Sequence, residues 1–152
     1  MKTLIIYKSI HHGNTKKIAE VMAGELGADL TELEQAKNYN FAVYDLIGLG
    51  SGIYMWRHHK TLLKFIDELP NMSKNAFVFS TSGAGMNDIL KNHKKLKEKL
   101  TAKGFNLVGD FTCLGWDSVG PLKLVGGLNK DRPNEEDFQS ARNFANSLKT
   151  NP

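Results

Sequence analysis

Short apolar runs alternate with segments of helical period along nearly the whole chain, and this alternation constrains the fold more than any other feature. Thr3 to Tyr7 is an apolar run bounded by polar residues, which predicts a strand. After a glycine-containing loop, Ile18, Met22 and Leu26 recur every four residues beside Ala19 and Ala23. That spacing predicts a helix from Thr15 to Leu26, ended by Gly27. Asp29 to Leu33 reads as a second strand and Leu46 to Leu49 as a third, apolar on both faces as a parallel strand between helix layers is. A loop, Gly50 to Trp56, follows. Leu62, Leu63, Phe65, Ile66 and Leu69 give the next helix its buried stripe, and Pro70 stops it. The unit then repeats with a strand over Ala76 to Ser80, a small-residue loop over Thr81 to Asn87, and a helix over Asp88 to Lys103 closed by Gly104. Leu107 to Cys113 supplies a fifth strand. Phe138, Ala141, Phe144, Ala145 and Leu148 mark a last helix, opened by Asn134 and acidic in its first turn. Strands and helices alternating at this spacing build right-handed crossovers, so the expected class is α/β, a three-layer, doubly wound, five-stranded parallel sheet. At 152 residues, a single domain spanning 1–152 is expected. Leu114 to Pro133 breaks the pattern; its apolar residues, Trp116 among them, suggest a lid beside a site rather than a free linker.

Composition narrows the function. The 20 Lys plus Arg against 16 Asp plus Glu leave a net charge of +4, but the densest basic run, Lys91 to Lys103, surrounds Leu90, Leu96 and Leu100 at burial spacing. Its lysines read as a solvated helix face, and with no interleaved aromatics or nucleic-acid motif, nucleic acid is not an expected partner. No run approaches the ~18 apolar residues of a membrane span, and Met1 leads directly into the first strand, so a cytoplasmic protein is expected. The single cysteine, Cys113, makes neither an intramolecular disulfide nor a cysteine-based metal site, and at the end of a buried strand it reads as inert.

Open parallel sheets bind ligands beyond the carboxyl ends of their strands. After the first strand stands Ser9-Ile10-His11-His12-Gly13-Asn14-Thr15-Lys16, which opens into a helix whose N–H groups and dipole suit an anion, a phosphate above all. It lacks the second glycine of a Walker A loop and the three glycines of a dinucleotide fingerprint. SIHHGNT followed by KKIAEVMA resembles the phosphate loop of the flavodoxin family, Ser/Thr-x-x-Gly-x-Thr opening the first helix. YDLIGLGSGIYMW resembles the family's third strand and the loop covering one flavin face. FSTSGAG is similar to its fourth strand and the loop at the flavin's polar edge. The order and spacing hold from about Lys2 to Leu148, so the resemblance implies a flavodoxin-like fold and an FMN site. In that site Ser9 and Thr15 hydroxyls, Asn14, and backbone N–H groups of His11, His12, Gly13, Asn14 and Thr15 hold the phosphate. Ser51, Gly52, Ile53, Tyr54, Met55 and Trp56 pack against the isoalloxazine, with Tyr54 as the stacking aromatic. Thr81, Ser82, Gly83, Ala84 and Gly85 bond the pyrimidine edge, and Trp116 joins from the lid.

Three features depart from the family. The first loop is one residue longer, with His11 and His12 where hydroxyl residues are common. Met55 stands where glycine usually follows the stacking aromatic, a position whose peptide flips toward flavin N5 in one-electron carriers, so low-potential one-electron shuttling loses support. The +4 charge differs from the family's acidic surface, so the partner's charge is not inherited.

The expected function is that of an FMN-binding electron carrier between redox partner proteins. The alternative is an FMN-dependent reductase or dehydrogenase acting on a quinone or similar small organic electron acceptor. A phosphate-accepting receiver module needs an acidic cluster at the strand ends, where this chain has Lys8, Ser9, Gly50 and Ser51. A flavin-free interaction module would show no flavin absorption. Other residues keep plain readings: His58 and His59 as exposed residues at a helix start, Trp56 and Trp116 as core or lid, Tyr54 as a surface aromatic, and His11 and His12 as loop residues without a third metal ligand.

Overall fold

Strand β1 (Thr3–Lys8) sends Leu4 and Ile6 to one face and Ile5 and Tyr7 to the other, and all four are buried, so both faces of the sheet must be covered. The computed structural model describes residues 1–10, 12–83, 89–116, 126, 127 and 129–150. Helices α1 (Asn14–Leu26) and α4 (Glu135–Thr150) cover the Ile5 face with Ile18, Met22, Ala141 and Ala145. The Leu4 face meets α2 (Lys60–Glu68) and α3 (Ile89–Ala102) through Leu62, Ile66, Leu96 and Leu100. Between these layers β2 (Asp29–Glu32), β1, β3 (Leu46–Tyr54), β5 (Asn75–Ser82) and β6 (Asn106–Leu114) lie in the order β2-β1-β3-β5-β6, every pair parallel. The doubly wound five-stranded parallel sheet is therefore the observed fold. Because β2 lies on one side of β1 and β3 on the other, strand order reverses there, and a crevice opens beyond their carboxyl ends.

The register of β3 against β5 rests on missing side chains. Gly48 pairs with Phe77 and Gly50 with Phe79, and both rings are fully buried. A Cβ on Gly48 would sit 2.3 Å from Phe77 Cζ, and one on Gly50 2.4 Å from Phe79 Cε2. The rings thus fill the space that β3 leaves empty on its α1/α4 face.

Several sequence boundaries move. The expected loop Gly50 to Trp56 is largely strand, because parallel pairing continues through Ser51 and Gly52. The chain then reverses in a two-residue turn, and β4 (Arg57–His58) pairs antiparallel with β3, Ile53 to His58 and Tyr54 to Arg57. Thr81 and Ser82 likewise extend β5 instead of beginning a loop, and α1 begins at Asn14. Leu33 leaves β2 for a short 3-10 helix, Leu33–Asn38. Leu90, expected to be buried, is 79% exposed, so only Leu96 and Leu100 of that trio reach the core. Asn134 caps α4 as expected: its Oδ1 accepts the N–H groups of Glu136 and Asp137, and the Asp137 carboxylate accepts Asn134 N–H and a bidentate Arg132.

The turn between β3 and β4 places Met55 at φ 49° and Trp56 at φ 60°, the left-handed pair required by a type I′ hairpin and normally supplied by Asn and Gly. Side chains there cost roughly 1–2 kcal/mol each. Met55→Gly should raise the urea midpoint by an amount equivalent to about 1 kcal/mol with unchanged slope; an unmoved midpoint would show that the turn stores no strain. Conversely, Gly48→Ala should destabilise by about 1–3 kcal/mol, since its methyl overlaps the Phe77 ring in a packed layer, and a stability within error of the parent would contradict the packing account.

Candidate functional site

The loop after β1 owes its shape to two consecutive left-handed residues, His12 at φ 55° and Gly13 at φ 64°, which turn the chain into α1. Ser9 stabilises that turn from upstream, its Oγ accepting Lys16 N–H at 3.2 Å and so capping the first helical turn. The N–H groups of Asn14 and Thr15 have no acceptor inside the helix and lie at its positive end. Asn14 is buried; its Nδ2 donates to Trp116 O at 2.8 Å, while its Oδ1 is buried without a partner among the described residues. Thr15, also buried, shares a 2.9 Å hydroxyl–hydroxyl bond with Thr81 of β5 and so ties the first loop to the third.

These groups border a cavity of about 250 Å³ at the carboxyl ends of the strands. Asn14 and Thr15 line it from α1, Gly52, Ile53, Tyr54 and Met55 from the hairpin, Thr81, Ser82 and Gly83 from the end of β5, and Trp116 from beyond β6. No charged side chain is among its described lining residues, so an anion here meets neutral donors and the amino end of α1. Three sequence-selected loops therefore converge.

Other selected residues serve differently. Ser9 acts as a cap, and Gly13 sets the helix entry. His12 is half-buried, its ring stacked on Trp116 at 3.4 Å between centroids and 15° between planes, so it is not a free loop residue. Trp116 Nε1 donates to Gly126 O and its backbone N–H to Arg132 O, while Asn129 Nδ2 donates to Gly83 O. The described ends of the expected lid are thus bonded beside the site. Trp56 is no core residue: it is 54% exposed, with Lys91 Nζ 4.6 Å from its ring centroid. His11, Ala84 and Gly85, with residues 117–125 and 128 of the Leu114 to Pro133 segment, lie outside the described residues.

Two lining residues escaped sequence reading. Ile10 stands between the hydroxyl and histidine residues of the first loop with no polar group to mark it, and Gly115 follows β6 where a Cβ would lie 2.7 Å from Asn14 Nδ2. The rule that places ligands at strand carboxyl ends, applied after β6, would have drawn attention to Gly115.

Ser51 does not line the cavity. It is fully buried on the α2/α3 side, where its Oγ lies 2.9 Å from His58 Nδ1 and accepts His59 N–H at 2.9 Å. His58, expected to be exposed, is itself buried, with its ring centroid 4.9 Å from that of fully buried His93. Burial first, and then His93, hold His58 well below the usual imidazole range. Burial pushes His93 down to about 4 against the opposing pull of Asp110. His59 is half-buried and caps α2, its Nδ1 accepting Thr61 N–H. Burial pushes the Cys113 thiol up to about 12, in keeping with an inert cysteine.

Comparison with known proteins agrees with this architecture. Residues 4–115 match a family model described as a flavodoxin domain. An uncharacterized protein of Methanocaldococcus jannaschii is 48% identical over 153 residues, covering 99% of this chain and 100% of that protein. Among solved structures, a flavodoxin of Streptococcus pneumonia TIGR4 superposes with a TM-score of 0.73 at 16% identity over 100% of both chains. A Lactobacillus acidophilus flavoprotein in complex with FMN superposes at 0.60 with 24% identity, over 74% of this chain and 93% of that one. With a family model matched over most of the sequence, the chain belongs to the flavodoxin family.

Proposed function

We propose that the cavity binds FMN with its phosphate at the amino end of α1, and that the protein carries electrons between redox partner proteins. The observation that carries this reading is the junction of three loops in one cavity whose described lining is uncharged and whose phosphate end holds a buried, unpartnered Asn14 Oδ1. The residues present suit FMN. Asn14 and Thr15 N–H groups, with the one hydroxyl proton that the Thr15–Thr81 bond leaves free, supply neutral donors for a dianion, while Oδ1 of Asn14 accepts from a hydroxyl of the ribityl chain or from water. Gly52, Gly83 and Gly115 line the cavity without side chains, and Tyr54 and Trp116 add aromatic rings to its wall, suited to contact with a flat ring.

Bound FMN supplies one- and two-electron redox chemistry. The chain's part is to fix orientation through the α1 terminus, to exclude water with Tyr54, Ile53 and Trp116, and to leave an edge accessible. At about 250 Å³ the cavity is below the ~300 Å³ at which pockets enclose a drug-sized ligand, so part of the ring stays at the surface, as exchange with a protein partner requires.

A second reading, a reductase for a quinone or similar acceptor, draws on one observation: Met55 (82% exposed) and Trp56 form an apolar hairpin tip beside the cavity, able to contact a small apolar molecule. Turnover of NAD(P)H with a quinone by the isolated protein would favour that reading, whereas electron transfer only through an added reductase supports the carrier.

The protein should purify yellow with one FMN per chain and bind FMN at least tenfold more tightly than riboflavin. Thr15→Ala should weaken FMN about ten- to a hundredfold, the loss of a hydrogen bond to a charged group, while leaving riboflavin binding little changed. Equal affinities for FMN and riboflavin in the unaltered protein would show that the phosphate is not held at α1.

A further inference from the structure

The hairpin that borders the cavity is poorly provided with local support. Its turn holds Met55 and Trp56 in a conformation their side chains disfavour, and β4 is two residues long. Its root, however, is held by an unusually complete set of hydrogen bonds to one hydroxyl. Ser51 Oγ lies 2.7 Å from Gly52 O, 2.9 Å from His59 N and 2.9 Å from His58 Nδ1. A hydroxyl has one proton and two lone pairs. Gly52 O only accepts and must take the proton, and His59 N–H fills one lone pair. His58 Nδ1 must then donate to the other. The geometry therefore selects the neutral Nδ1–H tautomer of His58, with Nε2 as a bare acceptor, buried without a partner among the described residues.

A second proton on His58 has no place to go. It would put an N–H at Nε2, which has no hydrogen-bond partner among the described residues and lies beside the His93 ring. The groups facing this pair come from four elements. Ser51 reaches His58 from β3; Ser80 of β5 binds His93 Nε2 at 2.7 Å and Thr112 of β6 at 2.8 Å. Asp110 of β6 lies 3.6 Å from His93 Nδ1, too long for a hydrogen bond, and is already paired with Lys97 of α3 at 3.0 Å. Asp110 is thus shared between Lys97 and His93, whereas His58 makes no ion pair with a carboxylate among the described residues. At the hairpin tip, Lys91 of α3 adds one more cation above Trp56.

We propose that His58 is a positioning residue for the flavin site: its neutral imidazole holds Ser51 and the root of the β3–β4 hairpin, and protonation of His58 releases the hairpin from the cavity. The proposal rests on the FMN reading above. In the released hairpin the imidazole reaches water and regains its ordinary value of 6.5, whereas in the closed one it stays neutral well below that. The released state therefore binds the extra proton, and the closed state loses ground as pH falls below about 6.5, by up to tenfold per pH unit. A purely structural histidine that packs identically in both protonation states would give no such slope.

The test compares the unaltered protein with His58→Asn, whose amide can donate to Ser51 from the Nδ1 position but does not titrate. FMN affinity is measured by quenching of flavin fluorescence at pH 7.5 and 5.0, and the ratio of the two Kd values is compared between proteins, which cancels the titration of the FMN phosphate itself. The ratio should be at least tenfold larger for the unaltered protein, and equal ratios would overturn the proposal. A second measurement needs no variant: the His58 Cε1–H NMR titration should have a lower midpoint with FMN than without, and identical midpoints would overturn it. Failure of the protein to bind FMN at any pH would instead defeat the FMN reading. The hairpin's release is still read in the flavin-free protein, as exchange of the His59 amide that rises, after correction for its intrinsic rate, more steeply toward low pH than in His58→Asn; equal slopes overturn the proposal.

Discussion

The register between β3 and β5 is the constraint on which the site depends. Phe77 and Phe79 lie over the bare backbone of Gly48 and Gly50, and this fit pairs Ser51 with Ser80 and Gly52 with Thr81. A slip by one residue would drive both rings into side-chain-bearing neighbours and turn β3 over, exchanging its two faces. With the register fixed, the hairpin after β3 and the end of β5 arrive beside the loop after β1, and the Thr15–Thr81 bond closes the contact. The same register sends Ser51, Ser80 and Thr112 to the opposite face as a polar row across three strands, where His58 and His93 meet it. Cavity and buried histidine pair are thus two consequences of one packing decision.

Much of this was legible in the chain, because it is carried by periodicity. The strands, the four helices and their order follow from apolar spacing and from Gly27, Pro70 and Asn134 at element ends. The three loops stand out in the sequence because loops at strand carboxyl ends are where a parallel sheet presents backbone N–H groups. The illegible part is what tertiary pairing decides. Nothing local marks Met55-Trp56 as a type I′ turn, since the residues that normally announce one are absent, so the segment read as loop. His58 looked exposed because polar residues beside a helix start usually are; it is buried because β4 folds back against α3. His93 sits in a lysine-rich helix, and only the position of β5 and β6 beneath it shows that it faces inward. Leu90 failed in the other direction: six residues before Leu96, it lies about 120° round α3 from that residue, off the face that Leu96 and Leu100 bury.

The electrostatics of the site follow from its lack of ionised neighbours. Among the described lining residues no carboxylate competes with an anion and no lysine grips it, so binding falls to hydrogen bonds and to the α1 terminus, which act at short range and survive salt better than surface charge does. The net charge of +4 is carried elsewhere, with Lys91, Lys94 and Lys95 exposed on α3 beside the hairpin. The exposed lysines of α3 and the uncharged described lining of the crevice are thus separate features of the surface, an arrangement of charge outside and neutral donors inside.

That separation makes a phosphorus measurement the most direct test of the central claim, which is that neutral donors at the amino end of α1 hold the phosphate as a dianion. Free phosphate monoesters take up a proton near pH 6. In the ³¹P NMR spectrum of the FMN-loaded protein, the bound phosphate should keep one chemical shift from pH 8 to 5.5, because the donors favour the dianion and exclude the added proton. A bound signal that titrates with the midpoint of free FMN would place the phosphate in solvent, away from Asn14 and Thr15, and would contradict the account.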